Sequence, residues 1–120
     1  MKASHELRIS ALTPSHRLSE AMVQATVERL VKALAPEQIW LFGSQVWGVP
    51  GAASDLDVLV IVPESNDSPA QRARQAHRAL RGIALPMDIL VKTRAEIEHT
   101  GTVPSSLVYK ILREGRCVYG

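Results

Sequence analysis

Asp55 and Asp57 stand two residues apart at the head of an apolar run, Ser54-Asp55-Leu56-Asp57-Val58-Leu59-Val60. On a strand, residues i and i+2 point to the same face of the sheet. A third acid, Asp88, sits in a comparable setting, Met87-Asp88-Ile89-Leu90-Val91. Carboxylates gathered on one face repel one another unless a cation lies between them. An ionised Asp inside so apolar a run is also costly if it is buried without a partner. Oxygen-only ligands suit Mg²⁺ or Mn²⁺, and Mg²⁺ is often held by one or two carboxylates together with substrate phosphates. Separated from Asp55 by ten residues, Leu41-Phe42-Gly43-Ser44 ends on a Gly-Ser turn whose backbone N–H groups could face those phosphates. The pattern implies metal-assisted phosphoryl or nucleotidyl transfer. Asp55, Asp57 and Asp88 are its candidate catalytic and metal-binding carboxylates, and Gly43 and Ser44 its candidate nucleotide-binding residues. An ordinary strand start with one face in water accounts for one acid, but less well for two on the same face. A strand-to-helix turn that needs Gly accounts for Gly43 alone, and a half-exposed edge strand for Asp88 alone.

These residues need strands and turns to carry them. Ile39-Trp40-Leu41-Phe42 reads as a buried strand closed by Gly43. Residues 55–62 form a second strand, whose Leu, Val and Ile predict burial on both faces beyond the acids; Pro63 ends it. Residues 85–91 form a third strand, carrying Asp88. Between and around them the spacing predicts helices. One starts at Thr13-Pro14 and runs to Ala35, with Val23, Val27, Leu30, Val31 and Leu34 on one stripe, and Pro36 stops it. A short helical turn is expected over 44–47, and a loop of small residues over 48–54. A second amphipathic helix spans 69–82, with Ala73, Ala76, Ala79, Leu80 and Ile83 inward, Arg74, His77, Arg78 and Arg81 outward, and Gly82 as its stop. Thr93-x-x-Glu96 reads as a capping box opening a short helix. A last helix covers 104–114, followed by a short extended tail, Arg116 to Tyr119. Alternating strands and helices give a mixed α/β class. Residues 1–12 read as a loosely held arm and 13–120 as one domain.

Composition narrows the class. With 46% apolar and 22% charged residues the chain is of ordinary globular type, and 120 residues suit one core with a shallow, partly open site. A formal charge of +2 and five scattered aromatic residues point away from nucleic acid as a direct substrate. Arg74, Arg78 and Arg81 read first as a solvated helix face that RNA or a partner could also contact. Cys117 is the only cysteine, which excludes an intrachain disulfide, and it reads as a small apolar residue near the end of the fold. The four histidines show no ligand spacing. The first ten residues lack the apolar core of a secretory signal, and no apolar run approaches the ~20 residues that span a bilayer. A cytoplasmic protein is expected.

The Gly43-Ser44-x10-Asp55-x-Asp57 pattern, with apolar strands on each side and a later strand-borne Asp88, resembles the signature of the DNA polymerase β-type nucleotidyltransferase superfamily. The short length resembles its minimal members, the MNT antitoxins paired with HEPN toxins. Many relatives continue as Gly-Ser-Arg-x-Arg-Gly; here the stretch reads Gln45-Val46-Trp47-Gly48, keeping the glycine and lacking both arginines. The resemblance implies a small mixed β-sheet flanked by helices. It implies two Mg²⁺ ions held by Asp55, Asp57 and Asp88, with ATP as substrate and its phosphates on Gly43 and Ser44. Asp88 would bind the catalytic metal and assist deprotonation of the attacking hydroxyl. It further implies transfer of AMP to a hydroxyl, Tyr above all, of a partner HEPN-type toxin, this chain being the antitoxin. A binding module that silences its partner by occlusion, favoured by the missing arginines, and a small-molecule nucleotidyltransferase are the alternatives.

Overall fold

The computed structural model describes residues 20–43, 46 and 56–120. The chain enters on α1 (Glu20–Leu34), crosses β1 (Gln38–Phe42) and continues through β2 (Leu56–Val62). It then forms α2 (Pro69–Ala79), β3 (Met87–Thr93), α3 (Arg94–Thr100), α4 (Leu107–Glu114) and β4 (Arg116–Tyr119). The expected helix start at Thr13-Pro14, the 44–47 turn apart from Val46 and the 48–54 loop lie outside the described residues.

The strands form one mixed sheet in the order β3-β2-β1-β4. β1 is antiparallel to β2 and to β4, and β2 is parallel to β3. Parallel strands need a long crossover, and the polar loop and α2 supply it. Strand alternation splits the core in two. Leu56, Val58, Val60, Val62, Ile89 and Val91 face one way, packing with Val23, Leu30, Ala76 and Leu80 of α1 and the α2 region. Phe42, Leu59 and Ile61 face the other way, with Ile111 of α4 and the half-buried Trp40, Leu90 and Ile97. β2 is therefore covered on both sides, which explains its unbroken apolar run.

Local chemistry sets the boundaries. α1 ends at Leu34, where Ala35 takes a positive φ of 47° just before Pro36. α2 opens on a capping box: the Ser68 hydroxyl accepts from the Gln71 N–H, and the Gln71 side chain accepts from the Ser68 N–H. It ends at Ala79, with Leu80 as cap, three residues before the expected glycine stop. β3 begins at Met87 rather than 85, because the ladder to β2 opens with the Leu56 N–H donating to the Pro86 carbonyl at 3.0 Å. The expected tail is an edge strand: β4 pairs with β1, bulging between Ile39 and Trp40. Cys117 on it is exposed, with its thiol directed at the Tyr119 carbonyl at 3.4 Å, so it is no core residue.

One tie between layers is invisible in the apolar pattern. Arg72 of α2 is 6% exposed. It donates to the Val91 carbonyl at 2.7 Å and the Asp67 carbonyl at 3.1 Å, and grips both Glu96 oxygens at 2.9 and 3.2 Å. Glu96 also accepts from the Thr93 N–H at 2.8 Å, completing the expected capping box of α3. The Arg72 side chain, with help from that N–H, pushes the Glu96 carboxyl down to about 2 from 4.5, against the opposing pull of burial. A carboxyl lowered on folding contributes stability above its unfolded value, lost as pH falls from 4.5 towards 2. Glu96 is 39% exposed, so solvent screening trims the effect to about 1 kcal/mol. Glu96→Gln is expected to lower stability by that amount at neutral pH and to flatten the decline between pH 4.5 and 2, read by urea denaturation across that range.

Candidate active site

The two parallel strands start side by side. Leu56 pairs with Met87 and Asp57 with Asp88, each acid one residue into its strand. Paired residues on neighbouring strands share a face, and the strands lie about 4.8 Å apart. β1 runs the opposite way and ends there too, with Phe42 paired to Asp57 and Gly43 next in line. Three segments thus deliver Gly43, Asp57 and Asp88 to one end of the sheet. The face is that of Phe42, Leu59 and Leu90, the side covered by α3 and α4.

Gly43 is fitted to Asp57 by shape. Its φ of +89° is a left-handed conformation that favours glycine. A Cβ at this position would overlap Asp57 Oδ2 outright and come within 2.9 Å of its Cγ. The Asp57 carboxylate therefore occupies the space a side chain at 43 would need. The Val46 N–H donates to the Gly43 carbonyl at 3.0 Å, the three-residue spacing of a turn.

Asp88 differs from its expectation in one respect. It is exposed, at the start of edge strand β3, so the cost of burying a lone acid does not apply to it. Its place beside Asp57 comes from register instead. Two carboxylates across one inter-strand gap repel, and no salt bridge among the described residues reaches Asp88. Such an oxygen-only pair has the donor chemistry for Mg²⁺. Asp55 and Ser44 lie outside the described residues, as do Gln45 and Trp47. Among the described residues no group of three or more metal-binding side chains occurs. No described helix is long and apolar enough to cross a membrane.

A separate hollow of about 640 Å³ lies between α1 and β4, lined by Val23, Val27, Val31 and Val118 and rimmed by the Glu20–Arg116 ion pair. It opens on the other side of the sheet from Asp57, among the residues of the α1 and α2 layer. The acids thus lie apart from it. Arg72, missed by sequence reasoning, also lies away from the acids, at the far end of β3. An arginine in a basic helix reads as solvated, and only the acid of the Thr93 capping box hinted that a cation could be needed nearby.

Residues 23–116 match the nucleotidyltransferase domain family. A protein of Sulfolobus solfataricus whose crystal structure is described as that of a candidate nucleotidyltransferase has a similar fold, with a TM-score of 0.53 and 22% identity over 66% of this chain and 70% of that one. No curated protein sequence matches the chain. The family match covers the sheet strands through the start of β4 and includes Gly43, Asp57 and Asp88. The chain belongs to the nucleotidyltransferase domain family.

Proposed function

We propose that this chain transfers AMP from ATP to a tyrosine hydroxyl of a partner HEPN-type toxin, and so acts as its antitoxin. The observation that carries the catalytic part is the register pairing of Asp57 with Asp88, with Gly43 shaped to the Asp57 carboxylate. Asp57, Asp88 and the neighbouring Asp55 would hold Mg²⁺, two ions in all. The bound metal would neutralise phosphate charge and favour the ionised acceptor hydroxyl. Gly43 and Ser44 would seat the triphosphate through backbone N–H groups. The acceptor oxygen forms a bond to the α-phosphorus, the bond to pyrophosphate breaks, and Asp88 assists removal of the hydroxyl proton. The chain's own contribution is to position these groups and fix their charges before reaction. Asp88 stands exposed at the edge of the sheet, so a folded protein can bring a hydroxyl to it from outside.

The missing arginines after Ser44 favour a second reading, neutralisation of the partner by occlusion without transfer. Mass spectrometry separates the two. With ATP and Mg²⁺, the partner is expected to gain one or more AMP units, and Asp55→Asn to remove that gain while the complex survives. One polar substitution does not dissolve a large interface. Neutralisation without added mass, unchanged by Asp55→Asn, would establish occlusion instead.

A further inference from the structure

We infer that the outer face of α2 docks an acidic helix of a protein partner. This rests on the reading that the acceptor is a protein. Arg74, His77 and Arg78 of α2 and Arg81 just beyond it are all exposed. Past the helix end, the Arg81 N–H donates to the Arg78 carbonyl at 3.3 Å, a three-residue turn that keeps Arg81 on the side of Arg78. Spaced at i, i+4 and i+7, the three arginines form one stripe spanning about 10 Å. Arg29 of α1 widens it, fixed by its donation to the Arg81 carbonyl at 2.9 Å and to the Ala79 carbonyl at 3.3 Å. None of these four arginines enters a salt bridge among the described residues. The buried Arg72 of the same helix, by contrast, is neutralised by Glu96.

The surface is shaped as well as charged. Arg78 borders two shallow hollows, one of about 220 Å³ with Gln71, Arg74 and Gln75, the other of about 290 Å³ against Ala33 of α1. The first also contains Asp67, whose carboxylate is engaged by the Gln75 amide at 2.9 Å. Position adds meaning. β2 and β3 are parallel, so α2 must run back between them. Its Arg78–Arg81 end therefore returns to the end of the sheet that carries Asp57 and Asp88, on the opposite face. A partner held there sits beside the reaction without covering it.

The observations favour an acidic helix over RNA. Helical spacing of the arginines matches carboxylates at i, i+4 and i+7 on a facing helix. The net charge is only +2, so the rest of the molecule does not attract a polyanion. The stripe includes no Phe, Tyr or Trp on which a base could stack. Guanidinium forks suit carboxylates bidentately.

The test uses the full chain and a synthetic helical peptide with glutamates at i, i+4 and i+7 on one face, followed by fluorescence anisotropy. Binding is expected, with affinity falling several-fold as salt rises from low to physiological strength. The pair Arg74→Glu and Arg78→Glu is expected to weaken it about tenfold or more. The pair Lys32→Glu and Arg113→Glu changes net charge equally on other surfaces and is expected to leave it within about twofold. Arg74→Gln with Arg78→Gln repeats the loss without charge reversal, should the glutamate pair unfold. Equal loss in both pairs, absence of binding, or tighter binding of a short RNA duplex with the same sensitivity to Arg74 and Arg78 would overturn the proposal. The rise in melting temperature with Mg²⁺ and ATP is expected to be unchanged in these variants. Its absence from the wild-type chain would instead count against the nucleotide site.

Discussion

Asp57→Asn is expected to lower nucleotidyl transfer by about 10²- to 10³-fold, the scale of losing one preorganised electrostatic group at a reacting centre. It is also expected to abolish the rise in melting temperature that the proposed function predicts for the wild-type chain with Mg²⁺ and ATP. The reason lies in the register. Asp57 lies in the middle of the candidate site, paired across to Asp88 on one side and to Phe42, beside Gly43, on the other. Asparagine fits the same space, so the Gly43 contact and the packing of β2 survive. What is lost is the negative charge that would hold the metal and, with it, the triphosphate. A ligand at about 100 times its Kd adds roughly 2.7 kcal/mol of stability to a two-state domain. That is several degrees for a domain of this size, so the shift is easily read by calorimetry. Equal shifts in wild type and Asp57→Asn would show that Asp57 does not bind the nucleotide–metal unit.

The parts of this site that could be read in the sequence are those governed by local rules. The positive-φ glycine at 43 and the apolar run of β2 follow from φ preference and strand periodicity. So do the Pro36 stop and the Thr93–Glu96 capping box. Residues that depend on distant partners could not be read. β4 consists of Arg-Cys-Val-Tyr, with exposed positions at 116, 117 and 119. Its strand character comes from backbone pairing to β1, which leaves little apolar trace. Arg72 looked like any arginine of a basic helix until Val91 and Glu96, on elements 19 and 24 residues away, were brought to it. Asp88 matches the edge-strand reading in being exposed, and its alignment with Asp57 comes from strand register, which no local pattern encodes.

Gly43→Ala tests that alignment from the other side and is expected to harm both stability and transfer. Two penalties act together. A φ of +89° is unfavourable for any residue with a Cβ, and the substitution forfeits the freedom that glycine brings to it. The new methyl must also displace the Asp57 carboxylate, because it would overlap Oδ2 and crowd Cγ at 2.9 Å. Gly43 is buried, so the methyl has no solvent to turn into. Backbone strain and overpacking together are expected to cost about 2–4 kcal/mol. Transfer should fall by at least about 10²-fold even in the folded fraction, since small misplacements at a reacting centre carry penalties of that size. Gly82→Ala is the informative control. Gly82 has a similar φ of +94°, yet nothing lies within 4 Å of its would-be Cβ. It should therefore show the strain of the left-handed backbone alone, with transfer unchanged. If Gly43→Ala and Gly82→Ala prove equally mild in both denaturation and transfer, the contact between Gly43 and the Asp57 carboxylate has no part in holding the site.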